Sequence, residues 1–225
     1  MQVRILRSLL AALSLAVLAA LCALALPRGL ADLLSVEARV IVRSWEAQHR
    51  QPSNEEWTHA LALLREAREL DPRQPNFLEG IVQLHELRAL QLQPGDALAQ
   101  GYLRQALEFQ REAVRRRPGS PYSWANIALL KGRLPEPDRE FEAALRNSAQ
   151  LGPWEPWVQI ALAESGFQHW DALAPDTRAA MRANMTRALR WQDKQMFELA
   201  RRTRRLDVLC AAPGVEKSTF ARACI

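Results

Sequence analysis

From Leu9 to Leu26 the chain carries no charged residue, only Leu, Ala, Val, one Ser and one Cys. At a rise of about 1.5 Å per residue, a helix of this length just crosses the hydrocarbon core of a bilayer. No other feature narrows the possible folds so much, because an all-round apolar helix must lie in lipid, be cleaved away, or be buried on every side. Arg4 and Arg7 precede the run, and cations there hold an N-terminus in the cytoplasm. Pro27 and Gly29 are expected to break the helix, the first by removing an amide donor and the second by its backbone freedom. The expectation is a single-pass anchor of the bacterial inner membrane through residues 8–26, with the rest of the chain in the periplasm. Ala23-Leu24-Ala25 is also an acceptable signal-peptidase site, so removal of the segment is the alternative. The length of the apolar run favours retention.

The remainder reads as helix throughout. Hydrophobic residues make up 48% and charged residues 24%, with only 9 Gly, a globular balance rich in good helix formers. Leu30 to Arg50 is amphipathic and stops at Pro52. Ser53 and Glu56 form a capping-box pattern ahead of a helix to Leu70, ended by Asp71-Pro72. Asn76 and Glu79 suggest the next cap, for a helix from Phe77 to Leu92. After Gln93-Pro94-Gly95-Asp96 a long helix runs to Arg117. Pro118, Pro135 and Gly152-Pro153 bound two more helices, one ending at Arg133 and the next at about Gln150. Trp157–Trp170 and Pro175–Gln192 make a further pair, followed by a basic helix from Asp193 to Leu209.

Small residues recur in step. Ala60, Leu64, Ala67 and Pro72 return as Ala106, Gln110, Ala113 and Pro118. This resembles the second-helix signature of a tetratricopeptide repeat, where small residues let helices touch and proline turns the chain. Trp124-Ala125-Asn126-Ile127-Ala128 and Trp157-Val158-Gln159-Ile160-Ala161 resemble the first-helix signature, close to the usual period of about 34 residues. Phe141 and Ser148 stand where small residues are expected. The fold class is therefore all-α: a tetratricopeptide-like α-solenoid of three to four degenerate repeats behind an N-terminal transmembrane helix. The expected organisation is an anchor (1–28), an amphipathic connecting helix (29–51), a helical domain (52–210) and a tail (211–225).

Chemistry-bearing patterns are sparse. His49, His59, His85 and His169 have no partners at metal-ligand spacing. Gly214-Val215-Glu216-Lys217-Ser218-Thr219 lacks both the first glycine and the preceding strand of a phosphate loop. Glu155, Glu164 and Asp171 lie near tryptophans, but no framed carboxylate pair follows from helical faces. No catalytic residue, cofactor site or metal site is expected. Trp124 and Trp157 are expected to pack between helices, whereas Trp154, just after a break, is expected to be exposed. With Glu155 it is the candidate interaction surface, together with the basic run Arg201, Arg202, Arg204 and Arg205. The net charge is +5, or +3 without Arg4 and Arg7. That is weak support for an anionic partner, a polymer such as an anionic polysaccharide or an acidic protein, and no aromatic-plus-basic motif points to nucleic acid. Cys210 and Cys224 bracket a turn with Pro213 and Gly214. They are either two free thiols or a disulfide, which in an oxidising periplasm stabilises by about 3 kcal/mol for a loop of this order.

Four stretches carry a resemblance to a known family. They are Trp124–Lys131, Glu140-Phe141 with Ala144-Leu145, Leu151–Pro156 with Gln159, and Leu206–Cys210. With the membrane segment, these resemble the VpsP-type proteins of bacterial exopolysaccharide biosynthesis. The resemblance implies a small membrane-anchored helical protein linked with extracellular polysaccharide assembly, with envelope or polysaccharide-assembly proteins as partners and no catalytic motif. The alternative is a general envelope assembly factor or chaperone, for example in cytochrome maturation, which the same helical scaffold serves equally well.

Overall fold

The structure, a computed structural model, describes residues 2–93 and 95–224, with the side chains of residues 2–6 and 8 excepted. Pro94 and the side chain of Arg4 thus lie outside the described residues. Among the described residues there are ten α-helices and no strand. The chain divides into two compact units, Met1–Leu84 and His85–Ile225.

The first unit holds α1 (Gln2–Ala47), α2 (Asn54–Leu70) and the first part of α3 (Pro75–Leu90). Helix α1 is long and apolar enough to cross a membrane, and its apolar stretch is not buried in the protein. It runs straight through Pro27 and Gly29, so the expected break there is overturned. Proline removes one amide donor from the ladder, but helix-favouring residues flank it on both sides. The Arg28 guanidinium also reaches back to the Leu24 carbonyl at 2.6 Å, satisfying an acceptor near the interruption. Beyond Pro27 the buried face is Ala31, Ser35, Ala38, Val42 and Trp45, at helical spacing. This face packs on α2, and Ala31 joins Ala67 and Phe77 in one cluster. The helix ends at Ala47, ahead of the expected Arg50, where His49 takes a φ of 47°. Ser53 then caps α2 with the reciprocal capping box its sequence predicts. Gly80 of α3 lets the Leu64 side chain press against the helix backbone, since an added Cβ would stand 3.0 Å from Leu64 Cδ1.

The second unit holds α4 (Ala97–Arg116), α5 (Pro121–Arg133), α6 (Arg139–Leu151), α7 (Pro156–Gln168), α8 (Pro175–Ala188), α9 (Asp193–Arg202) and α10 (Leu206–Cys210). Helix α5 packs on α4, α6 and α7; α7 packs on α6, α8 and α9; α6 also packs on α8. The single basic helix expected over 193–209 is in fact α9 and α10. Arg204 adopts a φ of 58° between them, a left-handed residue that ends a helix because the ladder cannot continue through it.

Of the residues read as a second-helix signature, Ala60, Leu64 and Ala67 on α2 and Ala106, Gln110 and Ala113 on α4 are buried, while Pro72 and Pro118 are exposed; Phe141, Leu145 and Ser148 are buried at the same offsets on α6. The turns that follow them share one geometry. The amides of Asp71, Arg117 and Gly152 donate to the carbonyls of Ala67, Ala113 and Ser148 at 3.0, 2.9 and 3.0 Å. Three residues on, Gln74, Ser120 and Glu155 donate back to Asp71, Arg117 and Gly152 at 3.3, 3.1 and 3.3 Å. Each turn reads Pro-x-x-Pro: Pro72–Pro75, Pro118–Pro121 and Pro153–Pro156. The second proline is the first residue of α3, α5 and α7, where a missing amide donor costs nothing. That register pairs Tyr122 with Trp157 and Trp124 with Gln159, rather than Trp124 with Trp157. In keeping with it, Trp124 Nε1 donates to Pro118 O at 2.8 Å and Gln159 Nε2 donates to Pro153 O at 2.9 Å. Helix α3 starts at Pro75, two residues before the expected Phe77, because proline rather than Asn76 opens it.

Candidate functional site

The turn Gly152–Pro156 projects an indole into solvent for identifiable reasons. Gly152 lies against Pro121, and a Cβ there would stand 2.6 Å from Pro121 Cβ, so the chain must use glycine. Ser148 Oγ donates to Pro121 O at 2.8 Å, tying the start of α5 to the end of α6. From beneath, Arg187 Nε and Gln159 Nε2 both donate to Pro153 O, at 3.0 and 2.9 Å. Gln192 Nε2 bonds Pro156 O at 3.2 Å and Gln159 Oε1 at 2.8 Å. With the backbone fixed this firmly, Trp154 remains 58% exposed.

Around it lie further aromatic surfaces. Trp157 is 47% exposed and Tyr122 43%, with ring centroids 5.9 Å apart and planes 32° apart. The expectation that Trp157 packs between helices is overturned: at the second position of α7 it points away from the core, which Val158, Ala161 and Leu162 fill instead. Trp124, by contrast, is half-buried. The Tyr122 hydroxyl donates to Glu155 Oε2, and this bond to the carboxylate raises the Tyr122 pKa above its ordinary value. Glu155 is thus occupied, and it makes no side-chain cap to α7. The Arg190 guanidinium lies over the Trp154 ring, 5.9 Å from its centroid, within cation–π range.

The other acids near tryptophans each have a separate partner. Asp171 pairs with Arg205 at 2.5 Å and Glu164 with Arg202 at 3.9 Å. Two members of the basic run, Arg202 and Arg205, are thus paired with acids. Arg205 also donates to Phe167 O at 3.1 Å and serves the fold, Arg204 turns the chain, and Arg201 and Arg202 are exposed. Cys210 and Cys224 are joined in a disulfide, with Cα atoms 5.6 Å apart. Beside the tail that the disulfide closes is a cleft of about 740 Å³, lined by Arg190, Trp191, Asp193, Pro213, Glu216 and Lys217 among others. Asp193 accepts from Ser218 Oγ at 2.9 Å and Thr219 Oγ1 at 3.3 Å. These bonds work against the cost of burial, and the Asp193 pKa is lowered. Gly214–Thr219 forms a 3-10 turn, Val215–Lys217, and not the start of a phosphate-binding helix.

No group of three His, Cys, Asp or Glu side chains is placed to hold a metal among the described residues. Sequence reasoning located Trp154 and Glu155 but missed Tyr122, Arg187, Arg190 and Trp191. The recurrence of Pro-x-x-Pro is the signal that would have aligned Tyr122 with Trp157. No protein-family model matches the chain, and no curated protein matches it.

Proposed function

We propose that this chain is a non-catalytic, membrane-anchored accessory protein of bacterial exopolysaccharide production, built as a tetratricopeptide-like scaffold and working through contacts with envelope assembly proteins. The observation that carries the scaffold reading is the threefold recurrence of one helix junction, with the same two backbone bonds, the same prolines and the same buried positions. Repeats of that kind cannot bury an apolar face alone and stack to form a core and a binding surface. The polysaccharide reading rests on the resemblance of the Trp124–Cys210 motifs to VpsP-type proteins. In this reading α1 is retained as the anchor, with Arg7 cytoplasmic and exposed and the helical domain periplasmic. Shared membrane attachment raises local concentration, so a weak contact with a synthesis or export machine suffices.

A clean deletion tests the proposal. The expected result is a loss of extracellular polysaccharide or a change in its chain length, restored by the wild-type gene and equally by a Glu155→Gln variant. Unchanged polymer under conditions of expression overturns the function. Failure of Glu155→Gln to restore it overturns the non-catalytic role. Haem-protein defects in place of polymer defects identify a general assembly factor instead.

A further inference from the structure

We infer that the exposed aromatic surface at the Gly152–Pro156 turn is itself a binding site for an acidic glycan chain. Pyranose rings present an apolar C–H face and a rim of hydroxyls, so they are recognised by rigid, exposed aromatic planes interleaved with polar groups. Tyr122, Trp157 and Trp154 supply such planes, each more than two-fifths exposed. They are borne on two helix starts and one turn that Gly152, Ser148, Gln159 and Gln192 hold fixed. A platform that is already rigid spends little ordering entropy on a ligand.

The charge around the platform selects the class of glycan. Arg190 lies on the Trp154 ring, and Arg187 is half-buried beneath the same turn. Neither guanidinium is in an ion pair among the described residues. Burial alone, with no acid to oppose it, depresses the Arg187 pKa. The nearest carboxylate of the turn, Glu155, is engaged by Tyr122. Two cations without an ion-pair partner among the described residues therefore lie at this turn, Arg190 on the Trp154 ring and Arg187 at the Pro153 carbonyl. Arg190 also lines the cleft, together with Trp191, which is 79% exposed, Lys217, Glu216 and the occupied Asp193. Acids and bases balance over residues 1–84, so the whole formal excess of +5 falls in the unit that bears this surface. A chain of uronate or similarly acidic sugars meets both demands, stacking on the aromatic planes while its carboxylates reach Arg187 and Arg190. A purely aliphatic protein groove fits neither.

This inference deepens the reading above by giving the scaffold a direct grip on polymer, and it can fail separately. The full chain in lipid nanodiscs is titrated calorimetrically with oligogalacturonate, with dextran, and with dextran sulfate as a polyanion lacking carboxylates. Oligogalacturonate is expected to bind more tightly than dextran. Trp154→Ala/Trp157→Ala is expected to weaken it by about tenfold or more, and Trp154→Phe/Trp157→Phe to retain most of the affinity. Arg190→Gln is expected to weaken oligogalacturonate while leaving the weaker dextran binding unchanged. Absence of oligogalacturonate binding overturns the site, as does binding that the double alanine variant retains. Tighter binding of dextran sulfate that ignores both tryptophans reduces the surface to polyanion adhesion and overturns it too. If glycan binding is absent while the deletion strain still loses polymer, only this inference falls. If binding is present and the deletion strain is normal, only the cellular role falls.

Discussion

At the scale of single residues, two positions decide much of the geometry. Gly152 has ordinary negative φ, so backbone freedom is not why glycine is there; the reason is the Pro121 ring, 2.6 Å from where a Cβ would be. Gly152→Ala should therefore destabilise by about 1–3 kcal/mol, read as a lower urea midpoint, and should lower the exposure of Trp154 by shifting the turn. An unchanged midpoint would mean that Pro121 has room to move. The second position is Glu140. The Arg111 guanidinium, bonded to it at 2.6 and 2.9 Å, holds its carboxyl at about 2, with Lys131 Nζ at 3.0 Å on the other side. Lys131 is 1% exposed and also meets Asp138 at 2.8 Å. Burial works against its charge, but the bonds to Asp138 and Glu140 prevail and its pKa is raised. Glu140 has a folded pKa below its unfolded one. Its stabilisation is thus complete above the ordinary carboxyl value of 4.5 and is lost as pH falls from there toward about 2. Wild-type protein should lose more stability between about pH 6 and about pH 3 than Glu140→Gln does. Parallel pH profiles of the two urea midpoints would remove the pair from the account.

At the scale of elements, three helix junctions share one backbone geometry while the helices between them differ. Helix α6 is opened by Asp138, which accepts from the Phe141 amide at 3.0 Å, while α5 and α7 are opened by proline. Trp124 and Gln159 occupy the same place in successive junctions and do the same job, each donating to the first proline's carbonyl. Trp124→Phe keeps an aromatic ring, though a smaller one, and loses that bond. The expected cost is about 0.5–1.5 kcal/mol, measured by denaturation, and a cost much beyond that range would indicate that ring packing rather than the bond matters. The likeness of α2 and α4 was legible because small buried residues stand at the same offsets from Pro72 and Pro118. The exchange of Trp124 for Gln159 was not legible: an indole and an amide look unrelated until both are seen to donate from the same position. Pro27 is the converse case. Read locally it ends a helix, but the face from Ala31 to Trp45 is held against α2, and the helix continues.

At the scale of the whole molecule, the C-terminal tail is a closed loop. Beyond Cys210 it contributes a buried Ala212, the Phe220 ring 6.0 Å from Phe197, and the Ser218 and Thr219 bonds to Asp193. Closing a loop of sequence separation 14 restricts the unfolded chain by about 3 kcal/mol. Reduction, or Cys210→Ser/Cys224→Ser, is therefore expected to expose residues 211–224 to protease before the helices open, and to remove one wall of the cleft beside Trp191. Equal protease resistance in oxidised and reduced protein would show that the hydrogen bonds alone hold the tail.

The sequence by itself determined the elements: an apolar N-terminal helix, a predominantly helical remainder, most helix boundaries, and the buried small residues of α2 and α4. These follow from local rules of charge, capping, proline placement and periodicity, which act within one or two turns of chain. Only the tertiary structure decided that Trp157 faces solvent, that Arg205 belongs to the fold, that Tyr122 lies beside Trp157 and Glu155, and that Arg187 and Arg190 reach the turn at Pro153 and Trp154. The physical reason is distance along the chain. Tyr122 meets Glu155, and Arg187 meets Pro153, across intervening helices. Whether a side chain of α5 or α8 lies beside a turn before α7 depends on how those helices pack, which no local pattern encodes.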